Sequence, residues 1–184
     1  MRKVTFGGAS SLDNFIARKD DAVDWLMWSN EVAEILKDFW KPFDAIVMGR
    51  RTYEVSLKMG GGPPHPGVKV YVLSRTLKKV DAEDVNLVSE DAADFVRKLK
   101  HEKGGDICIL GGGLLAKSLF EADLIDVIGF NVHPVLLGSG IPLFHEMKNQ
   151  INLKLVECRP LKNGCVYLLY NVKHKRAQKA VVMS

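Results

Sequence analysis

Cysteine is scarce and unpatterned in this chain. Cys108, Cys158 and Cys165 are the three in 184 residues, and they show neither the paired spacing of a zinc site nor the even count of a disulfide framework. Cys108 lies in an apolar run and the other two in strand-like segments, so three buried free thiols in a reducing compartment are expected. No metal site is expected. No apolar run approaches the length of a membrane span, and Met1-Arg2-Lys3-Val4 passes into a strand pattern without the apolar core of a signal peptide. A cytoplasmic protein without membrane contact is the expectation. Charge of one sign is not in excess: a net +4 tolerates an anionic ligand but gives no basic face of the kind nucleic acid requires. Internal repeats and domain linkers are also missing.

What is present is one domain's worth of chain, 47% hydrophobic, with strand-like and helix-like segments in alternation. Val4 to Ala9 reads as a first strand. Asn30 to Trp40 has apolar residues at helical spacing, capped by Ser29 or Asn30 and stopped by Pro42. Ala45 to Met48 is a short buried strand leading into a helix over Arg51 to Lys58. Gly60 to Gly67 is a loop by composition. Strands follow near Val68 to Leu73 and Val85 to Val88, then a helix from Asp91 to His101 with Ser89 as its cap. Ile107 to Leu110 is a buried strand, and a helix runs through three glycines from Gly111 to Ala122. Beyond Leu124 the helices stop. Ile125–His133, Leu153–Arg159 and Val166–Lys173 are strands, the last two joined by the turn signal Lys162-Asn163-Gly164. Parallel strands need crossovers and hairpins do not. The order therefore predicts an α/β fold: three layers, α/β/α, around a mixed, mostly parallel sheet ending in an antiparallel hairpin. The domain spans 1–174, and Lys175–Ser184 reads as a frayed tail.

Strand Ile107–Leu110 ends in Gly111-Gly112-Gly113 and a helix begins there. Glycine lets backbone approach a ligand, and the first helical N–H groups attract an anion such as a pyrophosphate. Three motifs compete. Gly111-x-Gly113-x-x-Ala116 formally matches the dinucleotide fingerprint, but it sits late and lacks the acidic residue after the following strand. Gly111 to Ser118 approaches a phosphate-binding P-loop, with Ala116 where the glycine before the lysine belongs. A glycine turn that binds NADPH is the third, and a tight turn with no ligand is the plain alternative.

A second strand ends in Gly49, followed by Arg50, Arg51 and Thr52 in the first helical turn, where cations oppose the helix dipole unless an anion is near. A third ends in Ser74-Arg75. Three strand ends with phosphate-friendly chemistry suit a ligand lying across the sheet edge, and the arginines favour NADP over NAD.

Val47-Met-Gly-Arg-Arg-Thr-Tyr-Glu54, Val72-Leu-Ser-Arg75 and Leu110-Gly-Gly-Gly113 together resemble the cofactor motifs of the dihydrofolate-reductase superfamily. Ser11-Leu-Asp-Asn-Phe-Ile-Ala17 and His133-Pro-Val-Leu-Leu-Gly-Ser-Gly140 resemble its RibD C-terminal branch, the reductase half of the riboflavin deaminase–reductase. The resemblance runs from Val4 to Val172. It implies that Gly49, Arg50, Arg51, Thr52, Ser74 and Arg75 hold the adenosine phosphates of NADPH. Gly111, Gly112 and Gly113, with Leu114 and Leu115 behind them, would lie on the pyrophosphate and nicotinamide side. Ile16 and Ala17 would sit near the nicotinamide, and Asp13 and Trp25 in or beside the substrate cleft. A homodimer is implied too, with Val135, Leu136 and Leu137 available to an interface.

Departures from the folate enzymes are specific. The position for their helix carboxylate falls on Ala33, and the residues after Pro66-Gly67 are Val68 and Lys69 where an arginine for the folate tail belongs. Nothing resembles the His-x-Glu and Pro-Cys-x-x-Cys zinc site of a deaminase. The expectation is a stand-alone NADPH-dependent reductase acting on a ribosylamino-pyrimidine or another small heterocycle. Asp13 and Asp24 are candidates to contact substrate, each with a turn or cap role as the alternative. A dihydrofolate or pterin reductase, a module that binds NADPH without turnover and a nucleotide hydrolase are the competing readings. His133 and His145 receive no role.

Overall fold

Ten strands and four helices occur among the described residues, 1–80 and 84–174 of a computed structural model. In chain order they are β1 (Val4–Ser11), β2 (Phe15–Ala17), α1 (Asn30–Trp40), β3 (Phe43–Gly49), α2 (Arg50–Lys58), β4 (Lys69–Leu73) and β5 (Val85–Val88). Then come α3 (Ala92–His101), β6 (Asp106–Leu110), α4 (Gly113–Glu121), β7 (Val127–His133), β8 (Ile141–Pro142), β9 (Leu153–Pro160) and β10 (Val166–Val172). Eight strands form one sheet in the order β5-β4-β3-β6-β1-β7-β10-β9. The first six run parallel, and β10 is antiparallel to both β7 and β9. The mixed, mostly parallel sheet with its closing hairpin is as the sequence predicts.

The period-2 alternation of the strands assigns the two faces. Val4 and Phe6 of β1, Val47 of β3, Ile107 and Ile109 of β6 and Phe130 of β7 pack with Val96 and Leu99 of α3 and Leu119 and Phe120 of α4. On the opposite face Ile46, Met48, Val70, Val72 and Cys108 pack with Tyr53 of α2 and with Phe39 and Trp40 of α1. Val32 and Ile35 of α1 lie over Cys165 and Tyr167, at and just before β10. Helices α1 and α2 thus cover one face, α3 and α4 the other.

Local signals explain the helix starts. The Ser29 hydroxyl accepts from the Val32 N–H at 3.2 Å and begins α1, while Asp91 accepts from Ala93 and Asp94 and begins α3. The expected Ser89 cap is therefore displaced: a carboxylate immediately before the helix reaches two free N–H groups, which a hydroxyl two residues earlier does not. Gly111 and Gly112 are not helical but left-handed, with φ of 61° and 56°. Cys158 corrects the expectation of three buried thiols. It sits exposed on β9, whereas Cys108 and Cys165 are buried. A strand pattern does not reveal that β9 is the outermost strand, with neither face covered. Short β2 and β8, which pair with each other, carry too few residues for a periodic signal. The tail expected to fray, Lys175–Ser184, lies outside the described residues.

Candidate active site

The strand ends converge because β3, β4 and β6 are parallel neighbours, so their C-termini share one sheet edge. Two helices start there, α2 after Gly49 and α4 after Gly112. Neither has a side-chain cap and neither carries an acidic residue in its first turn. The other two helices both have caps. The free N–H groups of α2 and α4 thus lie together at the edge that the sequence singles out, with the positive ends of both helix dipoles.

Contact between these starts is direct. A β-carbon on Gly111 would lie 2.6 Å from the Thr52 hydroxyl oxygen, so only glycine lets the β6 turn rest on the first turn of α2. At Gly49 a β-carbon would meet nothing within 4 Å, which leaves open space above the backbone where phosphate is expected to approach. Arg75 is exposed and has no ion-pair partner among the described residues. The Ser74 hydroxyl accepts from the N–H groups of Thr76 and Leu77 and shapes the turn that presents Arg75. Arg50 pairs loosely with Glu54 at 3.7 Å. Arg51 is held by Asp21 at 2.7 Å and donates to the Lys19 carbonyl, so it tethers α2 to the loop before α1. Leu114 is exposed, Leu115 half-buried. The Ser118 hydroxyl of the P-loop-like run donates to the Leu115 carbonyl within α4.

The β2–β8 pair brings the Ser11–Ala17 segment to this edge. A β-carbon on Gly113 would press on the carbonyls of Pro142 and Leu143 and on the His145 ring, so the chain after β8 packs against the start of α4. Ile16 and Ala17, expected beside a nicotinamide, are half-buried and buried on the strand paired with β8.

Next to the glycine turn is an open cavity of about 340 Å³ between α1 and the sheet. Gly8 and Ala9 of β1, Leu110 of β6 and Gly129 of β7 line its sheet side. Val32, Ile35, Leu36 and Phe39 of α1 form a wall, and Met27, Trp28 and Met59 are exposed at the rim. Leu110 belongs to the cavity and Gly111, the next residue, to the glycine turn. The two halves of the site therefore meet at the end of β6. Ala33, where a folate enzyme's carboxylate would be sought, faces solvent, and the α1 residues that do line the cavity are all apolar.

Three polar side chains other than indoles reach this cavity: Asn131, His133 and Tyr167. None of the three is assigned a role by local sequence signals. His133 is 2% exposed. Its Nδ1 accepts from the Met27 N–H at 3.2 Å and lies 3.4 Å from the Cys165 thiol. The neutral ring therefore carries its proton on Nε2, 3.2 Å from the Asn131 carboxamide, which receives it when its oxygen is turned that way. Burial lowers the His133 pKa and raises those of Cys165 and Tyr167, so all three are neutral near pH 7. Trp25 stacks edge-on against His133, with ring centroids 5.2 Å apart.

The proposed acidic contacts resolve differently. Asp13 accepts from the Ser11 hydroxyl at 2.6 Å and from the N–H groups of Leu137 and Gly138. These bonds, the Ser11 hydroxyl first, hold its carboxyl below the ordinary value. It ties the end of β1 to the loop after β7 and does not line the cavity. Asp24 is paired with Arg18 through two hydrogen bonds and is likewise absent from the cavity wall. Trp25 is buried behind His133, while its neighbours Leu26, Met27 and Trp28 line the cavity. The signal for the polar trio was weak: in Phe130-Asn-Val-His133 two polar residues take alternate positions of an otherwise apolar strand and so share its α1-side face.

Comparison with known proteins agrees with this architecture. The sequence model of the RibD C-terminal domain family matches residues 2–167. An uncharacterized protein of Bacillus subtilis (strain 168), YwjB, is 37% identical over 155 residues, 84% of this chain and 89% of its own. The crystal structure of a putative riboflavin biosynthesis protein from Shewanella sp. PV-4 superposes with a TM-score of 0.81 at 28% identity, covering 95% of this chain and 100% of that one. Dihydrofolate reductase from Enterococcus faecalis, complexed with NADP(H) and RAB-propyl, gives a TM-score of 0.67 at 21% identity, covering 92% and 96%. The last shows the shared dihydrofolate-reductase-like fold.

Proposed function

Because the chain belongs to the RibD C-terminal domain family, whose members include reductases, we propose that it is an NADPH-dependent oxidoreductase acting on a small heterocyclic substrate of the ribosylamino-pyrimidine kind. The observation that carries the reading is the meeting of two uncapped helix starts, at Gly49 and Gly112, beside a cavity that opens at the end of β6.

The residues present fit the cofactor. Arg75 and Arg50 would receive the 2′-phosphate, with Ser74 and Thr52 as hydroxyl neighbours. The N–H groups that open α2 and α4 would receive the pyrophosphate. Arg51 serves this site by holding the 18–21 loop against α2. The chemistry such a cofactor would supply is a hydride to a substrate carbon, with one proton to be delivered to the adjoining nitrogen or oxygen. Tyr167 keeps its phenolic proton because burial raises its pKa, and its hydroxyl lies 3.6 Å from where a β-carbon on Gly129 would stand, at the cavity floor. His133 and Asn131 form one hydrogen-bonded unit that fixes the ring and the 27–28 segment. The reading extends to a homodimer, in which exposed Leu136 and the outer strand β9, with exposed Leu153, Leu155 and Val156, supply apolar surface.

The test is a fluorescence titration with NADPH and with NADH. Saturable binding that prefers NADPH, with Arg75→Ala weakening NADPH about tenfold and NADH far less, supports the assignment. No binding of either nucleotide overturns it.

A further inference from the structure

The substrate cavity is without charge. No Asp, Glu, Lys or Arg lines it among the described residues. The loop that leads to it, residues 18–28, contains two cations: Arg18 is paired with Asp24, and Lys19 is exposed and outside the cavity lining. Arg51, which reaches the same loop from α2, is paired with Asp21. A phosphate or carboxylate entering here would lose water and meet apolar wall, neutral imidazole and neutral phenol. The cofactor edge contrasts sharply: exposed arginines and two free helix starts stand there.

Shape adds a second restriction. Gly8, Ala9 and Gly129 make a floor almost free of side chains, and Phe39, Trp40 and Trp28 supply aromatic faces around it. The Phe39 ring lies close against part of this floor: a β-carbon on Gly7 would lie 2.5 Å from the ring, and one on Gly129 would lie 3.2 Å from it, so glycine at both positions lets the aromatic face approach the sheet. Such a slot suits a flat ring, with the Asn131 carboxamide and the Tyr167 hydroxyl as hydrogen-bonding partners at one end.

The geometry points to an uncharged, planar heterocycle as the substrate, one that bears no phosphate and no carboxylate. This inference rests on the reductase reading for the location of the substrate, and it departs from a phosphorylated ribosylamino-pyrimidine. Selectivity arises because the cavity provides apolar contact and neutral hydrogen bonds but no cation to replace the hydration of an anion.

Matched ligand pairs test it on the intact protein, with quenching of tryptophan fluorescence as the binding signal and NADPH consumption followed in parallel. The pairs are 5-amino-6-ribosylaminouracil against its 5′-phosphate, and 7,8-dihydropterin against 7,8-dihydrofolate with its glutamate tail. In each pair the uncharged member is expected to bind at least about tenfold more tightly. Met59→Arg places a cation at the exposed rim and is expected to narrow the gap. Equal or tighter binding of the anionic members overturns the inference, as does a gap that Met59→Arg leaves unchanged or a failure of both neutral ligands to bind. The two readings fail separately. NADPH consumed with the phosphorylated ligand preferred sinks this inference and leaves the reductase. Neutral ligands preferred without any NADPH binding sinks the reductase and leaves the cavity's selectivity.

Discussion

Thr52 stands against Gly111, so that the first turn of α2 and the end of β6 touch at the one point where a β-carbon would lie 2.6 Å from the threonine hydroxyl. Gly111 is also left-handed, with φ of 61°. Gly111→Ala therefore combines backbone strain with a clash, and is expected to lower stability by about 1–3 kcal/mol and to weaken NADPH binding. Gly49→Ala is the contrast. Its φ of −79° suits alanine, and a β-carbon there meets nothing within 4 Å, so urea unfolding should barely change. If phosphate approaches the backbone through that open space, as proposed, NADPH affinity should still fall. Affinity unchanged in Gly49→Ala would argue against that approach.

His133 gives the protein a pH dependence of known sign. Burial holds its pKa below the ordinary 6.5, so between the two values the unfolded chain binds the proton and the folded one does not. The stabilisation from the neutral ring is complete above pH 6.5 and is lost as pH falls toward the folded-state pKa. His133→Gln should flatten that part of a stability profile taken by urea unfolding between pH 5 and 8. An unchanged slope in the variant would assign the acid sensitivity elsewhere.

Far from the cavity, Arg2 is 7% exposed and bonded to Asp44 and to the Gly105 carbonyl, while Asp44 accepts from the Gly105 N–H at 2.7 Å. Asp44→Ala leaves a buried guanidinium without its counter-charge. The expected loss is about 2–4 kcal/mol, moderated because Asp44 itself is partly solvated. Arg2→Met combined with Asp44→Ala should recover part of this, as measured by chemical denaturation. A double variant no more stable than Asp44→Ala would mean that the aspartate acts chiefly on the Gly105 turn.

The local sequence determined the elements and the sheet edge where α2 and α4 start. Strand and helix periods, the stop at Pro42 and the glycines at positions 49 and 111–113 are signals written within a few residues of where they act, because hydrogen-bond geometry and φ preferences are local. Tertiary structure alone decided the polar lining of the cavity. Asn131, His133, Cys165 and Tyr167 come from two regions of the chain and meet only because β7 and β10 pair antiparallel beneath α1. The same folding removed Asp13 and Asp24 from the cavity, since each found a nearer partner: backbone N–H groups for one and Arg18 for the other. A carboxylate in a sequence advertises its charge but not its partner, and its partner is set by which chain segments the sheet order brings together.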